Sequence, residues 1–436
     1  MALTSNTDGV LAVDRTDDTV RTTPRSRAAA WGFACALYVV FDGFSHGMFD
    51  KQITSLVSLT LLATLGALGS ALLGGRADRL LPRVRPRATT ILLLAFIGYI
   101  AISAGFGPGV FDLGFVKGLM LFAAIVALVD DHRQVATLFL VAGYAGVIQA
   151  ALGIGQFIAQ DGVPLGGLTG LLPNHIQYAI YLLLSAIALA PFVHHAKGAR
   201  RIAVLLAEAL IALALILSLA RGVLVVAILA ALAWLLLTLR STRARIYAVS
   251  ALGAGALAVL AASRRLSTLV EIPAALGDPA RLDALLSGRL VLLLSAWNMW
   301  LAHPVFGVGY GHFPVVWAQY APDGMGVPGF LRLQLATHST YLQIAAEMGI
   351  VGLGVYVAFL GSAIRDVWQV RTYSMRAGDT FTALLASAVL TSLIAIAAHG
   401  LLDNTGWHDR VFYILLGCAV AMRAWTACAT TEADVR

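Results

Sequence analysis

The chain has 436 residues, of which 59% are hydrophobic and only 12% are charged, and its mean hydropathy is +0.83. A soluble globular domain carries about 25% charged residues, so the composition excludes an ordinary soluble protein and predicts a polytopic membrane protein. The formal net charge of +7 indicates cytoplasmic loops rich in Lys and Arg before it indicates an anionic partner. Cys35, Cys418 and Cys428 lie in or beside apolar runs and predict neither a disulfide framework nor a metal site.

The N-terminal 28 residues contain no apolar run followed by a small-residue cleavage site. Residues 1–28 are therefore predicted to form a disordered cytosolic tail and not a signal peptide. Beyond them, apolar runs of about 18 to 24 residues predict an all-α integral membrane protein with about twelve transmembrane helices. Nine helices are predicted within residues 29–262 and three within residues 341–427, and residues 428–436 are predicted to form a cytosolic tail. The predicted spans are 29–48, 52–73, 88–106, 114–130, 135–157, 174–193, 202–219, 222–239, 246–262, 341–363, 380–400 and 410–427.

The basic residues indicate the orientation of these spans. The connection GGRADRLLPRVRPR, between the second and third spans, holds five arginines and is placed in the cytoplasm by the positive-inside rule. Alternation then places both termini there, together with the basic connections DDHRQ, HHAKGARR, RSTRAR and RDVWQVRTYSMR. The opposite side receives the cation-free connection 106–112, the Gly- and Pro-rich connection 160–174, and one much longer segment.

This long segment, residues 263–340, is predicted to form a large extracytoplasmic loop. Within it, residues 278–302 and 313–321 have apolar residues at helical spacing together with Trp and Tyr. That pattern predicts interfacial helices whose aromatic rings lie at headgroup depth. The loop is also rich in arginine, and clustered guanidinium groups that face water favour an anionic ligand. We therefore expect the active site to include this loop.

Three arginines are the candidate anion-binding residues. Arg221 interrupts an apolar run in LILSLARGVLVVAIL, where Ser218 and Gly222 flank it in a predicted tight turn; the alternative is an arginine at a helix end that reaches the membrane interface. Arg265 and Arg289 lie in the long loop. Guanidinium groups form bidentate contacts with phosphate oxygens, so several of them at one site would hold a diphosphate without a metal ion.

His338 closes the long loop, in ATHSTYLQIAAEMGIVG. An imidazole is suited to accept a proton from a hydroxyl nucleophile, although a lone histidine in a membrane protein is more often a packed or interfacial residue. Gly349 and Gly352 follow at fixed spacing and would allow close helix packing. The motif GVGYG at 307–311 has no strand before it and is interpreted as a turn, not as a nucleotide-binding loop.

A further set of polar residues lies in the long loop or at the ends of predicted spans on the same side. These residues are candidates for lining the same cavity, and helix capping or interfacial hydration is the alternative. They are Asn174, His175, Tyr310, His312, Arg332 and Asp403.

These residues resemble the superfamily of O-antigen ligases and O-antigen polymerases, which are bacterial membrane glycosyltransferases. His338-Ser339, then nine residues, then Gly349-x-x-Gly352 match the His-[Asn/Ser/Gln]-x9-Gly-x-x-Gly pattern of that family. The upstream stretch GRLVLLLSAWNMWLAHPVFGVGYGHF is similar to its Gly-Arg…Pro…Gly-x-Gly-x-x-x-Phe block, and SLARG at 218–222 is similar to its turn. Leu353 stands where the pattern often has Thr.

The resemblance implies a fold like that of the C class of membrane glycosyltransferases and the activity of an O-antigen ligase in lipopolysaccharide biosynthesis. Such an enzyme transfers a glycan from undecaprenyl pyrophosphate to a sugar hydroxyl of the lipid A core, at the periplasmic face of a Gram-negative inner membrane. His338 would then be the general base, and Arg221, Arg265 and Arg289 would bind the pyrophosphate. The reaction would be inverting and independent of metals and cofactors. The expected partners are the lipid-linked donor, the core lipid and membrane lipids, without nucleic acid.

Other functions remain open at this point. An O-antigen polymerase commonly has two sizeable periplasmic loops, whereas one dominates here. A protein O-oligosaccharyltransferase is usually longer and has a C-terminal periplasmic domain. A transporter or flippase would place ionisable groups near the bilayer midplane, often with inverted repeats. This chain instead concentrates its charges at one water-facing edge, which favours the ligase.

Overall fold

The computed structural model describes residues 24–44, 59–73, 88–105, 113–160, 162, 167–239, 241–262, 271–286, 289–322, 336–406 and 409–434. Within these ranges every regular element is a helix, as the sequence predicted. Twelve long helices coincide with the twelve apolar runs: α1 Pro24–Phe44, α2 Leu59–Leu73, α3 Ala88–Ala104, α4 Leu113–Leu128, α5 His132–Ala159, α6 His175–His195, α7 Gly198–Leu217, α8 Arg221–Thr238, α9 Thr242–Ala262, α13 Thr340–Arg376, α14 Thr380–His399 and α15 Arg410–Asp434. The predicted loop contains α10 Pro279–Leu285, α11 Leu290–Ala302, α12 Phe313–Val316 and a 3₁₀ turn at Trp317–Gln319.

Five of the described helices are long and apolar enough to cross a membrane, namely α5, α6, α8, α13 and α14. Helices α1 to α4 contain shorter apolar stretches of 10–17 residues. These helices support a multi-pass membrane protein. The count of twelve membrane spans and the bilayer-surface position of α10 to α12 stay predictions, and most of the predicted tail at 1–28 lies outside the described residues.

Helix α14 lies at the centre of the bundle. It packs against α6, α8, α13 and α15, and most of its residues are buried. Its apolar residues are spread around the whole circumference, which is the pattern of a helix surrounded by other helices. Helix α8 is different, because only 17% of its most apolar stretch is buried. It lies at the edge of the bundle, where α9 packs against it.

Hydrogen bonds between distant segments define two ends of the bundle. At one end, the amide of Thr340 donates to the carbonyl of Gly400 over 2.7 Å, and the amide of Tyr310 donates to Ser103 Oγ over 3.0 Å. This end carries the starts of α6, α8, α13 and α15 and the described parts of the predicted loop, and we call it the His338 end. At the opposite end, which we call the Arg371 end, Thr89 Oγ1 donates to Asp366 Oδ2 over 2.6 Å.

Gly349 interrupts α13 with φ 64° and ψ −168°. This left-handed backbone suits glycine, and a Cβ atom here would lie 2.1 Å from the carbonyl oxygen of Val305. The loop around GVGYG fills the interruption with backbone hydrogen bonds. These run from Val308 to Ala346 (3.1 Å), from Gly309 to Glu347 (2.8 Å), from Ile350 to Pro304 (2.9 Å) and from Val351 to Val305 (3.3 Å). The predicted turn therefore docks the loop onto α13.

Gly352 brings α3 close to α13. A Cβ atom built on Gly352 would lie 3.1 Å from Tyr99 Cε1. The Tyr99 hydroxyl donates to the carbonyl of Met348 over 3.0 Å, next to the helix interruption. Of the two glycines, Gly352 thus serves close helix packing, whereas Gly349 serves the docking of the loop.

Candidate active site

His338 lies two residues before α13, in a turn at the His338 end of the bundle. Its φ of 54° is in the left-handed region, which is uncommon for a residue other than glycine. The buried side chain of Thr337 holds this turn, because its Oγ1 donates to the carbonyl of Ser339 over 2.7 Å and accepts from the Ser339 amide over 3.2 Å. Ser339 then caps α13, accepting from the amide of Leu342 over 3.4 Å. The imidazole is in this way fixed at the start of the helix.

Asp403 is the partner of His338. It lies in the connection between α14 and α15, and its Oδ1 is 3.0 Å from His338 Nδ1. The amide of Asn404 donates to the same oxygen over 2.8 Å. The other oxygen, Oδ2, is 3.7 Å from Arg289 Nη1. The side chains of His338, Asp403 and Arg289 are 12%, 17% and 24% exposed, so the interactions among the three groups are only weakly screened by water.

The ionisation of Asp403 determines which nitrogen of His338 carries the proton. Burial disfavours the charged form, but the hydrogen bond from His338 and the positive charge of Arg289 outweigh it and lower the pKa of Asp403 to about 2. An ionised carboxylate only accepts, so the Nδ1 atom of His338 donates to it. The neutral imidazole then has its lone pair on Nε2. Nε2 is buried and has no hydrogen-bond partner among the described residues.

Polar side chains on the first turn of α13 position the Asp403 connection. Thr340 Oγ1 donates to the carbonyl of Thr405 over 2.8 Å and accepts from its amide over 2.9 Å. Gln343, one turn further along the helix, accepts from the side-chain amide of Asn404. Asp403 thus lies in a connection whose following residues are fixed to the same helix that follows His338.

Arg289 reaches the site through the packing of the loop. It is the residue before α11, and that helix buries Val291, Leu292 and Met299 against Ala346 of α13. A guanidinium group has five N–H donors. The ion pair with Asp403 is therefore compatible with the predicted role in binding an anion.

Arg221 is the first residue of α8, directly after a tight turn. The turn contains Leu219 at φ 53° and the buried hydroxyl of Ser218, which donates to the carbonyl of Leu215 over 2.6 Å. A Cβ atom on Gly222 would lie 3.6 Å from the Cβ of Leu402, next to Asp403. The start of α8 thus packs against the Asp403 connection, and Arg221 lies at the same end of the bundle as His338.

Asn174 and His175 begin α6 at this end. Asn174 Oδ1 accepts from the amides of Ile176 and Gln177 over 3.0 and 2.8 Å, so this side chain caps the helix. His175 lies beside the turn before α8, because a Cβ atom on Gly167 would be 2.8 Å from His175 Cβ and 3.1 Å from the carbonyl of Ser218.

The remaining candidates fall into two groups. Tyr310 and His312 are 3% and 6% exposed and are buried in the docked loop, and neither ring nitrogen of His312 has a hydrogen-bond partner among the described residues. Arg265 and Arg332 lie outside the described residues. The role of each of the four stays a prediction.

Two carboxylates have roles that the sequence did not indicate. Glu347 is fully buried in α13 and accepts from the amide of Phe313 over 3.1 Å, which ties the start of α12 to α13. Glu271 forms a salt bridge of 3.2 Å with Arg281, and both side chains are about half exposed. Arg281 therefore faces a carboxylate on the surface of the loop.

The arrangement offers a base and several cations. In the parts of the chain that the structure describes, no group of three or more His, Cys, Asp or Glu side chains converges in a way that would hold a metal ion. What the geometry provides is an imidazole with one nitrogen held by a carboxylate, together with guanidinium groups at the same end of the bundle.

In a comparison with protein families, residues 206–357 match the family model described as O-Antigen ligase. This match confirms the resemblance to the O-antigen ligase superfamily. The matched segment contains Arg221, Arg289 and His338 and ends before Asp403, so the His338–Asp403 contact is a separate observation from the O-antigen ligase match. No curated protein matches the chain.

Proposed function

We propose that this protein is an O-antigen ligase. It transfers a glycan from undecaprenyl pyrophosphate to a sugar hydroxyl of the lipid A core, at the periplasmic face of a Gram-negative inner membrane. The observation that supports this most strongly is the 3.0 Å contact of His338 Nδ1 with Asp403 Oδ1. The family match supports glycan transfer as the class of reaction, and the long apolar helices support a location in a membrane.

In the proposed reaction, His338 is the general base. Its Nε2 accepts the proton of the acceptor hydroxyl while the acceptor oxygen attacks the anomeric carbon of the donor glycan. The bond between that carbon and the pyrophosphate oxygen breaks, and undecaprenyl pyrophosphate leaves with the bonding electrons. The proton remains on His338, and the carboxylate of Asp403 stabilises the resulting imidazolium. A direct displacement of this kind inverts the anomeric centre.

The arginines stabilise the leaving group. The pyrophosphate gains negative charge as the glycosidic bond breaks, and cations fixed before the reaction stabilise that charge without reorganisation. Arg221 and Arg289 supply such cations in this proposal, together with Arg265. The start of α8 adds the partial positive charge of a helix N-terminus, which favours anions. These groups give a route that requires no metal ion.

The distribution of basic residues supports a periplasmic site. The basic segments assigned to the cytoplasm by the positive-inside rule connect helices or lie at helix ends on the Arg371 side of the bundle. One of them, RDVWQVRTYSMR, was predicted as a connection but forms the end of α13. The His338 end then faces the periplasm, where a lipid-linked donor replaces the soluble nucleotide sugar of the cytosol. Both termini would lie in the cytoplasm.

The test is glycan transfer by the full-length protein in lipid nanodiscs, with an undecaprenyl-pyrophosphate glycan and a lipid A core as substrates. We expect product on the core lipid, and His338→Ala to reduce turnover by about 10²- to 10⁴-fold, the usual contribution of a general base. His303→Ala is the matched control. His303 is an exposed histidine of the same loop, and its Nε2 pairs with the Tyr320 hydroxyl over 2.9 Å and not with Asp403.

Each result distinguishes a different alternative. Turnover of His338→Ala at the wild-type rate would contradict the assignment of the base. A lengthened donor glycan without product on the core lipid would indicate a polymerase instead of a ligase. Equal losses in His303→Ala and His338→Ala would indicate damage to the loop, not removal of a base.

A further inference from the structure

A second basic site lies at the Arg371 end of the bundle, remote from His338. It is a cavity of about 100 Å³ between the end of α8, the start of α9, the end of α13 and the start of α14. Among the described residues that line it there are two arginines and no carboxylate. Its lining includes Leu239, Arg245, Arg371, Thr380 and Ser387.

Both arginines are held by uncharged groups. Arg371 Nε donates to Ser387 Oγ over 3.0 Å, another of its N–H groups donates to the carbonyl of Leu237, and its guanidinium carbon is 5.4 Å from the ring centroid of Trp368. Arg245 Nε donates to the carbonyl of Leu239 over 2.7 Å. These contacts fix the side chains without neutralising them.

The remaining charge of the cavity is strongly positive. The two carbonyl acceptors belong to the end of α8, where a helix carries a partial charge of about −0.5. That partial charge opposes two full positive charges, so it compensates about a quarter of them. Two guanidinium groups around one cavity favour an anion, and their planar N–H groups match the oxygens of a phosphate. The volume exceeds the 10–15 Å³ that a single water requires, which leaves room for a phosphate group.

The cavity borders a part of the bundle with exposed apolar side chains. Leu236 of α8 is 47% exposed, and on α9 Ile246 and Tyr247, the two residues after Arg245, are 58% and 73% exposed. Exposed apolar side chains on these helices suit contact with acyl chains, and tyrosine near the end of an apolar helix is typical of the headgroup region. The position therefore favours an anion that belongs to the membrane over one dissolved in water.

We propose that this cavity binds the phosphate of an anionic membrane phospholipid, held by Arg245 and Arg371 between α8 and α14. Basic pockets between membrane helices bind anionic headgroups in this way. The acyl chains lie along the exposed surface of α8 and α9. The bound lipid connects the edge helices to the central helix α14 and does not take part in glycan transfer.

The test compares lipids by thermal unfolding of the purified full-length protein in detergent. We expect added dioleoylphosphatidylglycerol to raise the melting temperature and dioleoylphosphatidylcholine to leave it unchanged. Arg245→Gln should need about fivefold more phosphatidylglycerol for the same shift, the equivalent of about 1 kcal/mol per cation near the membrane surface. Arg243→Gln is the matched control, because Arg243 is an exposed residue of the same helix and is not part of the lining.

Three results would overturn the proposal. The first is an equal response of Arg245→Gln and wild type, and the second is an equal loss in Arg243→Gln, which would indicate general surface charge. The third is an equal melting shift with inorganic phosphate in place of the lipid, which would indicate a free anion. Native mass spectrometry of the wild type needs no variant: we expect one phosphatidylglycerol to remain bound during exchange into phosphatidylcholine, and complete loss of it would also contradict the site.

Discussion

Arginine side chains hold segments together at both ends of this bundle, but in different electrical surroundings. At the His338 end, Arg289 faces the carboxylate of Asp403 at 3.7 Å, and that carboxylate also holds His338. At the other end, Arg371 donates to a hydroxyl and to a carbonyl. In the proposed functions both arginines bind an anion, but the charge of Arg289 is shared with a carboxylate, whereas the neutral partners of Arg371 leave its charge uncompensated. The contacts of an arginine thus indicate more about its role than the number of arginines in the same loop does.

The largest effect should come from removing the charge at the His338 end. Asp403→Asn keeps the shape of the side chain but no longer stabilises a protonated His338, so we expect turnover to fall by about 10²- to 10⁴-fold while the protein stays folded. Turnover at saturating concentrations of both substrates and a thermal melt measure the two quantities. Asp379→Asn, the same change at the N-cap of α14, is the control and should keep wild-type turnover, since Asn and Asp cap equally well.

The lowered pKa of Asp403 makes separate predictions for the pH dependence of stability and for that of the reaction rate. Its pKa falls from 3.8 to about 2 on folding, so its ionised form stabilises the protein above the unfolded value and this stabilisation is lost as the pH falls through about 2. At neutral pH the carboxylate stays ionised. Any change in the rate of the wild type near pH 7 would therefore come from another group, and a rate that follows the titration of Asp403 near neutral pH would contradict this assignment.

An intermediate effect is expected from Arg221, the cation at the start of α8. Arg221→Ala should raise the KM for the lipid-linked donor by about 10- to 100-fold, because a hydrogen bond to a charged group contributes about 1.5–3 kcal/mol. Initial rates at varied donor concentration measure this. Arg281→Ala, which removes a half-exposed arginine paired with Glu271, is the control and should change KM less than about twofold. An unchanged donor KM in Arg221→Ala would return that residue to the role of a helix-end arginine.

The smallest effect on catalysis should come from the Arg371 end. Arg371→Met keeps an unbranched apolar stem but leaves Ser387 and the carbonyl of Leu237 without their donor, so we expect a loss of stability of about 1–3 kcal/mol. Turnover per folded molecule should stay within about twofold of the wild type. Chemical unfolding measures the stability, and the rate divided by the concentration of folded protein gives the turnover. A loss of turnover as large as that of Asp403→Asn, at unchanged stability, would remove the distinction between the two ends.

The length of the apolar runs predicted the helices well. The predicted span 380–400 is α14 Thr380–His399, and the predicted span 222–239 is α8 Arg221–Thr238. This agreement has a physical reason, because the thickness of a bilayer sets the number of apolar residues in each run. The helical stretches of the loop were also predicted, since their apolar residues recur at the helical period.

The sequence could not predict that His338 pairs with Asp403. Asp403 was a candidate for lining the cavity, but it lies 65 residues from His338 in the chain, and only the packing of α13 against α14 brings them together. Likewise, the spacing of Gly349 and Gly352 indicated close packing, but the left-handed backbone at Gly349 depends on the loop that docks there. Contacts between distant segments have no local signal, whereas the residue types that serve them do.

The interruption of α13 divides one long helix into two bodies with different supports. Residues 340–348 follow His338 and are fixed to the Asp403 connection and the docked loop, while residues 350–376 run along the length of the bundle. Long helices tilt to match the thickness of the surrounding bilayer, at a cost of fractions of a kcal/mol per Å of mismatch. In a continuous helix, a change of tilt would also move the first turn. The hydrogen bonds of α13 are interrupted at Gly349, and the docked loop bonds to the residues on both sides of the interruption. The position of the first turn relative to the rest of α13 therefore depends on the loop as well as on the helix.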